Sequence, residues 1–409
     1  MKSLLSKLSY PFGFNIVNAI FPLLTLPIVF RAFDQDVYGE YVLVNVLYQL
    51  TISLFSLVLM QYFIREYTKC QFSQDENENN IFGDFLIVQI LAMFLVFAFF
   101  LMLYLVFNIV SDVNSTVALS FLIPIISVSI NFEWYFFAVQ KYKILFYRNI
   151  AIKSVVFLLV FLFVESNADL ALYAYLMTCS FAIVNLVTFI HIYPMIKIKK
   201  FDFYVLKKNI FGVRYFFTNS IVGAGYQYGD QLIVSILLSK FDLVSLNILK
   251  QLVGILAMVP STVCRFIMPQ AIVSYQKGLS DVFHRQFDKK YAVIIIVLAI
   301  FSLLFSPYFI LFLTGQGYTF PFIDITICTL LFLVMSVSIF IDTQYSIPQH
   351  LEVITTKANI LVFLSVLITI YFSVTYLGYK GALISVFIAE LLGVTFMVFA
   401  HARIKKSSG

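Results

Sequence analysis

The chain has 409 residues, of which 61% are hydrophobic and only 12% are charged, and its mean hydropathy is +0.96. Globular proteins in water carry about 25% charged residues, so this composition excludes a water-soluble protein of this size. The net charge of +6 does not indicate nucleic-acid binding, because the bases lie in loops between apolar segments, where they orient helices and contact anionic lipid. We therefore predict an all-α polytopic membrane protein, since backbone groups in lipid must be satisfied within helices.

Twelve apolar segments are long enough to cross a bilayer as helices. A basic segment near the midpoint separates six of them from the other six. We expect an N-terminal six-helix bundle over residues 1–195, a cytoplasmic basic hinge over 196–209 and a C-terminal six-helix bundle over 210–409. In chain order the predicted spans are Phe12–Phe33, Tyr41–Ile64, Phe82–Phe107, Val117–Val139, Tyr147–Val164, Leu170–Tyr193, Ile210–Leu238, Leu243–Met268, Tyr291–Leu313, Phe322–Gln344, Ala358–Tyr376 and Gly381–Ala402.

The distribution of positive charge predicts the orientation of these spans. If both termini are cytoplasmic, 23 of the 27 Lys and Arg residues lie on the cytoplasmic side and 4 lie on the opposite side. This asymmetry is what the positive-inside rule describes. All external loops are then short, which leaves no room for an extracytoplasmic domain. Both halves begin on the same side, so they would be parallel repeats, as is common in transporters that work by alternating access.

Two opposite charges lie at the same predicted depth. Asp230 and Lys250 are on consecutive antiparallel spans, each about 10–12 Å below the outer end. Charges at membrane depth are costly and mark candidate functional sites. The shared depth predicts an ion pair, either a static one or one that breaks when a cation or an anionic headgroup enters. Gly223, Gly225 and Gly229 precede Asp230 and favour close helix packing or a kink.

Three cations are candidates for binding substrate. Arg31, Lys153 and Lys250 would give an interior cavity a positive bias, which suits a phosphate or pyrophosphate group better than a cationic drug. An alternative is that Arg31 and Lys153 extend from the ends of their spans to opposite membrane surfaces.

Three carboxylates are candidates for coupling or gating, namely Asp230, Glu133 and Glu390. Glu133 stands beside Trp134, so a position at the cytoplasmic interface explains it equally well. Glu390 is nearer the middle of its span, and no partner for it is evident from the sequence.

Enzymatic motifs are absent from the sequence. It contains no Walker loop, no G-x-S-x-G and no H-E-x-x-H, and its four cysteines share no close spacing. We therefore expect neither a metal site nor a cofactor, and a transport cycle driven by an H⁺ or Na⁺ gradient rather than by a nucleotide.

Several short stretches occur in the same order in a known group of transporters. They are Leu24–Arg31 with 38–41 (YGEY), Asn131–Gln140 with Lys141–Lys153, Asp230 with Gln231, Gly315–Tyr318 (GQGY) and Gln344–Pro348 (QYSIP). With the twelve-span layout, this set resembles the O-antigen and polysaccharide-unit flippases (Wzx-like). These belong to the MOP superfamily, which also holds the MATE exporters and the lipid II flippases.

The resemblance implies a MATE-like arrangement and a specific activity. The expected activity is movement of an undecaprenyl-pyrophosphate-linked oligosaccharide from the cytoplasmic to the periplasmic leaflet of the bacterial inner membrane. The implied partners are that lipid-linked substrate, the bilayer, and the polymerase and chain-length proteins of the same pathway, with no nucleic acid.

Three rival functions differ from this one in sequence features. A MATE-like exporter of cations and drugs would need a more acidic cavity. A major-facilitator transporter would carry a loop rich in Gly and Arg, which Arg65–Asp84 is not. A membrane-embedded O-unit polymerase or ligase would need a large external loop, and every predicted external loop here is short.

Overall fold

The computed structural model describes residues 2–73, 78–111, 113–196, 203–315 and 320–407, and within these ranges the chain forms helices and no strands. Ten of the helices are long and apolar enough to cross a membrane. The predicted all-α polytopic class is confirmed. The physical reason is that an apolar segment in lipid can pair its backbone N–H and C=O groups within itself only as a helix.

Fourteen α-helices are present in the described part of the chain. In order they are α1 Lys2–Ala32, α2 Gln35–Ser73, α3 Glu78–Ser111, α4 Ser115–Ser120, α5 Leu122–Ser127, α6 Glu133–Ala138, α7 Tyr142–Phe163, α8 Leu170–Ile192, α9 Phe203–Leu237, α10 Lys240–Gln276, α11 Ser280–Thr314, α12 Phe322–Ile341, α13 Glu352–Leu377 and α14 Tyr379–Ser407. A π-helical segment, Asp342–Ser346, continues α12.

Two predicted spans have a form that the sequence did not indicate. The fourth, Val117–Val139, is divided among α4, α5, the 3₁₀ segment Val128–Ile130 and α6. The seventh, Ile210–Leu238, corresponds to the greater part of α9, which is 35 residues long, ends at Leu237 and is not among the ten apolar spans of the described chain.

Some predicted loops fall partly outside the described residues. These are the hinge at 197–202, the acidic loop at 74–77, the external loop at 112 and the GQGY motif at 316–319. The chain forms two compact units, Met1–Tyr228 and Gly229–Gly409. The predicted bundle limits at 195 and 210 stay predictions.

The first unit has an aromatic core. Trp134 is buried and packs against Phe63, Phe82 and Phe85, with ring centroids 5.3–5.7 Å apart. These rings come from α2, α3 and α6, so the core holds the short helix α6 between two long ones. Burying large aromatic rings stabilises the unit and fixes the end of α6 at which Glu133 stands.

The second unit contains a close helical hairpin of α13 and α14. Gly378 ends α13 with a φ of +63°, a conformation that favours glycine. Three residues later Gly381 lies so close to α13 that a Cβ there would be 1.9 Å from the Ser373 carbonyl oxygen. The hairpin therefore depends on two glycines, one for its turn and one for its packing.

Candidate transport site

Polar side chains of the first unit meet where the fourth predicted span is broken. Asn131 leaves the 3₁₀ segment in an extended conformation, and its side chain accepts a hydrogen bond of 3.1 Å from the Glu133 backbone N–H. Glu133 is thus the first residue of α6. The break places a carboxylate inside the first unit, next to α7.

Arg148 of α7 is the partner of that carboxylate. Its Nη2 donates to Glu133 Oε1 and, at 2.6 Å, to Asn149 Oδ1. A weaker contact of 3.5 Å joins Nη1 to the Val184 carbonyl oxygen of α8. Arg148 is only 7% exposed, so its charge is neutralised within the protein. The predicted span Tyr147–Val164 has Arg148 next to its cytoplasmic end, whereas α7 begins at Tyr142 and so holds Arg148 six residues inside the helix.

Lys153 lies five residues further along α7. It is eleven residues after the start of this helix and ten before its end, and so about 15 Å from either end. The alternative in which Lys153 extends from the end of its span to a membrane surface does not fit this mid-helix position. Its Nζ instead donates to Asn18 Oδ1 of α1 at 2.6 Å and lies 5.1 Å from the centre of the Phe21 ring.

Lys153 interacts electrostatically with Glu133, but the ion pair of that carboxylate is with Arg148. Among the described residues, no carboxylate forms an ion pair with Lys153. Asn18 also accepts a hydrogen bond of 3.0 Å from Asn149 Nδ2, so one amide side chain orients both the lysine and the neighbour of Arg148. The result is a polar cluster with a net positive charge beside the middle of α7, built from Asn18, Glu133, Arg148, Asn149 and Lys153.

The second unit contains the ion pair that helix depth predicted. Lys250 Nζ lies 2.7 Å from Asp230 Oδ1 and 2.8 Å from Oδ2. The Asp230 side chain is 1% exposed, whereas that of Lys250 is 22% exposed. The contact is present, and its part in transport stays a prediction.

Amide side chains continue this polar region along α10. Asn247 donates to Gln231 Oε1 at 3.3 Å and accepts from Gln251 Nε2 at 2.5 Å. Asn247, Lys250 and Gln251 are spaced so that they share one face of the helix, and Gly254 lies on the same face with open space where a Cβ would be. An otherwise apolar membrane helix therefore has one polar face.

Arg31 stands apart from the cluster around Lys153. Arg31 is exposed in the last turn of α1, thirteen residues beyond Asn18 and thus about 20 Å along the helix from the lysine cluster. Arg31 and Lys153 do not form one group. Glu390 of α14 is 9% exposed.

A further buried charge was missed by the sequence analysis. Asp324, in the first turn of α12, is 0% exposed and accepts a hydrogen bond of 2.7 Å from Tyr379 Oη. Lys380 Nζ lies 3.2 Å from its other oxygen. In the sequence, Asp324 is an acidic residue three positions after Pro321, and this pattern is typical of an ordinary helix start.

Comparison with solved structures identifies the fold. A multidrug resistance MATE family transporter of the MOP superfamily, in an inward-facing conformation, superposes with a TM-score of 0.75 at 11% identity, over 99% of this chain and 100% of that one. The chain has the fold of MOP-superfamily transporters. No protein-family model and no characterised relative matches the sequence itself.

Two other MOP-superfamily structures share this fold. The lipid II flippase MurJ, in an inward closed conformation, has a TM-score of 0.66 and 15% identity over 95% of this chain and 87% of that one. A transporter from Pyrococcus furiosus Vc1, whose binding pocket is described as reversed in polarity, has a TM-score of 0.63 and 13% identity over 100% and 97%. The MOP fold is thus common to neighbours of different function.

Proposed function

We propose that this protein is a flippase of the MOP superfamily that moves a lipid-linked oligosaccharide, in its phosphate- or pyrophosphate-bearing form, across the bacterial inner membrane. The substrate would pass from the cytoplasmic to the periplasmic leaflet by alternating access, coupled to an H⁺ or Na⁺ gradient, with both termini cytoplasmic. An O-antigen unit or a related repeat unit is the proposed cargo, and the polymerase and chain-length proteins of that pathway are the proposed partners.

The observation that carries this proposal is Lys153. An ammonium group at mid-membrane depth costs several kcal/mol unless it is compensated. Here it is held by an uncharged amide and an aromatic ring, and no described carboxylate forms an ion pair with it. A site that keeps such a charge favours an anionic ligand, and a phosphate oxygen is the acceptor that would satisfy it.

The fold supports the same substrate class. One structural neighbour is a lipid II flippase, so the MOP fold accommodates a lipid-linked substrate. Asn247 and Gln251 of α10 add amide donors and acceptors, which are suited to the hydroxyl groups of a glycan.

The test is a lysine substitution in a strain that lacks the chromosomal copy. Lys153→Ala should cause complete single lipid-linked units to accumulate in the cytoplasmic leaflet, measured by their access to a periplasmic probe. Lys153→Arg should retain more transport than the alanine variant, because it keeps the positive charge. The matched control is Lys143→Ala, which removes an exposed lysine from the same helix.

Each alternative result has a definite meaning. Equal transport by the Lys153→Ala and Lys143→Ala variants would contradict the anion site. Periplasmic units that fail to polymerise in the deletion strain would indicate a polymerase. Unchanged lipid-linked intermediates, together with export of a cationic dye that depends on Asp230, would favour a MATE-like cation exporter.

A further inference from the structure

A groove runs along the junction of α10 and α11 in the second unit. Its volume is about 530 Å³, and apolar side chains provide most of its lining, chiefly Pro269, Val273, Leu279, Val282 and Phe283, with Lys277 as its cation. Val282 is 57% exposed and Leu279 is 55% exposed. These side chains lie where the candidate membrane spans of the two helices end, at Tyr275 and Val282.

The groove changes from apolar to basic along one helix face. Pro269, Val273 and Lys277 are four residues apart, so they lie above one another on the same side of α10. The apolar residues are nearer the membrane interior and the lysine is at the end of the helix. An occupant with an apolar tail and an anionic head would match this order.

The charge around the groove is not neutralised internally. Lys277, Arg285, Lys289 and Lys290 are exposed, and none of them forms an ion pair with a described residue. Asp288 accepts hydrogen bonds from Tyr345 at 3.0 Å and contacts His284 at 3.2 Å, so it is already engaged. From residue 277 to 290 the sequence has four bases and two acids, which leaves the segment positive.

The start of α11 adds backbone N–H groups that can donate hydrogen bonds to an anion. Its first residue, Ser280, follows Leu279, whose side chain cannot cap the helix. The first backbone N–H groups of a helix have no intrahelical partner, and the positive end of the helix dipole favours a phosphate there. Arg285 and Lys289 follow Val282 at the spacing of one helix face, so cations continue from the groove along α11.

We infer that this groove is a binding site for one anionic phospholipid, separate from the transported substrate. The acyl chain lies along Pro269 and Val273, and the phosphate lies between Lys277 and the start of α11. On the predicted topology this is the cytoplasmic leaflet, whose anionic lipids attract basic residues next to membrane spans.

The test is lipid retention by purified protein. Delipidated protein is supplied with phosphatidylglycerol or phosphatidylcholine of identical acyl chains, and bound lipid is counted by native mass spectrometry. Wild-type protein should retain phosphatidylglycerol in preference, and Lys277→Ala should weaken that binding about five-fold, as expected for one cation at a membrane surface. Lys357→Ala, which removes an exposed lysine at the start of α13, is the control and should bind like wild type.

Other outcomes would overturn the assignment. Equal retention of the two lipids, or equal loss with Lys277→Ala and Lys357→Ala, would show that the groove does not select an anionic lipid. Displacement of the lipid by inorganic phosphate alone would indicate a free-anion site. Retention of neither lipid, with transport in cells lost on Val273→Asp, would instead mark a protein-docking surface. Because lipid counting does not depend on transport, this inference and the flippase proposal fail separately.

Discussion

At the scale of single residues, the Asp230–Lys250 pair offers a test that separates structure from function. Replacing one partner leaves the other charge buried, which costs about 3–5 kcal/mol. We expect Asp230→Asn and Lys250→Met each to lower the amount of folded protein in the membrane. The double variant Asp230→Asn/Lys250→Met removes both charges and should restore that amount.

Transport by the double variant decides the role of the pair. If the pair breaks and re-forms during the cycle, the double variant should be folded but inactive, measured by size-exclusion profile and by periplasmic lipid-linked units in the same strain. Transport near the wild-type rate would show that the pair is static and serves only to neutralise two charges.

Residue-scale prediction from the sequence succeeded where depth could be counted from the helix ends. Asp230 and Lys250 lie near one end of long helices, so a shift of a few residues did not separate them. Arg148 was predicted at the very end of its span, one residue after Tyr147, whereas α7 starts five residues earlier and holds Arg148 inside the helix. The sequence did not mark Asn18 as a site residue, because a single uncharged amide in an apolar segment is not distinguished by charge.

At the scale of helices, the hairpin of α13 and α14 should fail when its close contact is filled. Gly381→Ala places a methyl group 1.9 Å from the Ser373 carbonyl oxygen. Backbone atoms must move to relieve this clash. Overpacking of this kind typically costs about 1–3 kcal/mol or more. We expect a lower midpoint temperature in thermal unfolding of the purified protein, monitored by loss of the monodisperse size-exclusion peak.

A second glycine on a helix provides the control. Gly254 of α10 has no atom within 4 Å of a Cβ position, so Gly254→Ala adds helix propensity without a clash. Its midpoint temperature should equal or exceed that of wild type. Equal midpoints for the Gly381→Ala and Gly254→Ala variants would show that the hairpin tolerates separation.

Hydropathy predicted the long helices but not the break in one of them. The fourth predicted span contains a proline, Pro124, but no glycine or proline at Asn131. Tertiary contacts accompany the break at Asn131: Gln89 donates to its carbonyl oxygen, and the aromatic core holds α6 in place. α9 is the opposite case, since its polar residues lower its hydropathy while packing and length keep it helical.

At the scale of the whole molecule, composition and charge were enough to predict the class of fold, because lipid allows a single-chain apolar protein few alternatives to helices. The MATE-like arrangement that the resemblance implied is confirmed by the coordinates, although the structures that share it have only 11–15% identity. At such identity the packing pattern is retained while few individual residues are. The orientation in the membrane is a further whole-molecule property, and it still rests on charge alone.

Orientation is tested by labelling single cysteines in a variant in which Cys70, Cys179, Cys264 and Cys328 are replaced by Ser. Ser166, in the loop between α7 and α8, and Glu352, at the start of α13, are both exposed. The excess of bases predicts that Ser166 faces the periplasm and Glu352 the cytoplasm. In spheroplasts, a membrane-impermeant maleimide should label Ser166→Cys directly and Glu352→Cys only after permeabilisation. The charge bias stays large when Arg148 and Lys153, which lie within α7, are left out of the count for the cytoplasmic side. Reversed labelling would therefore mean that this protein violates the positive-inside rule. It would also invert the proposed direction of transport.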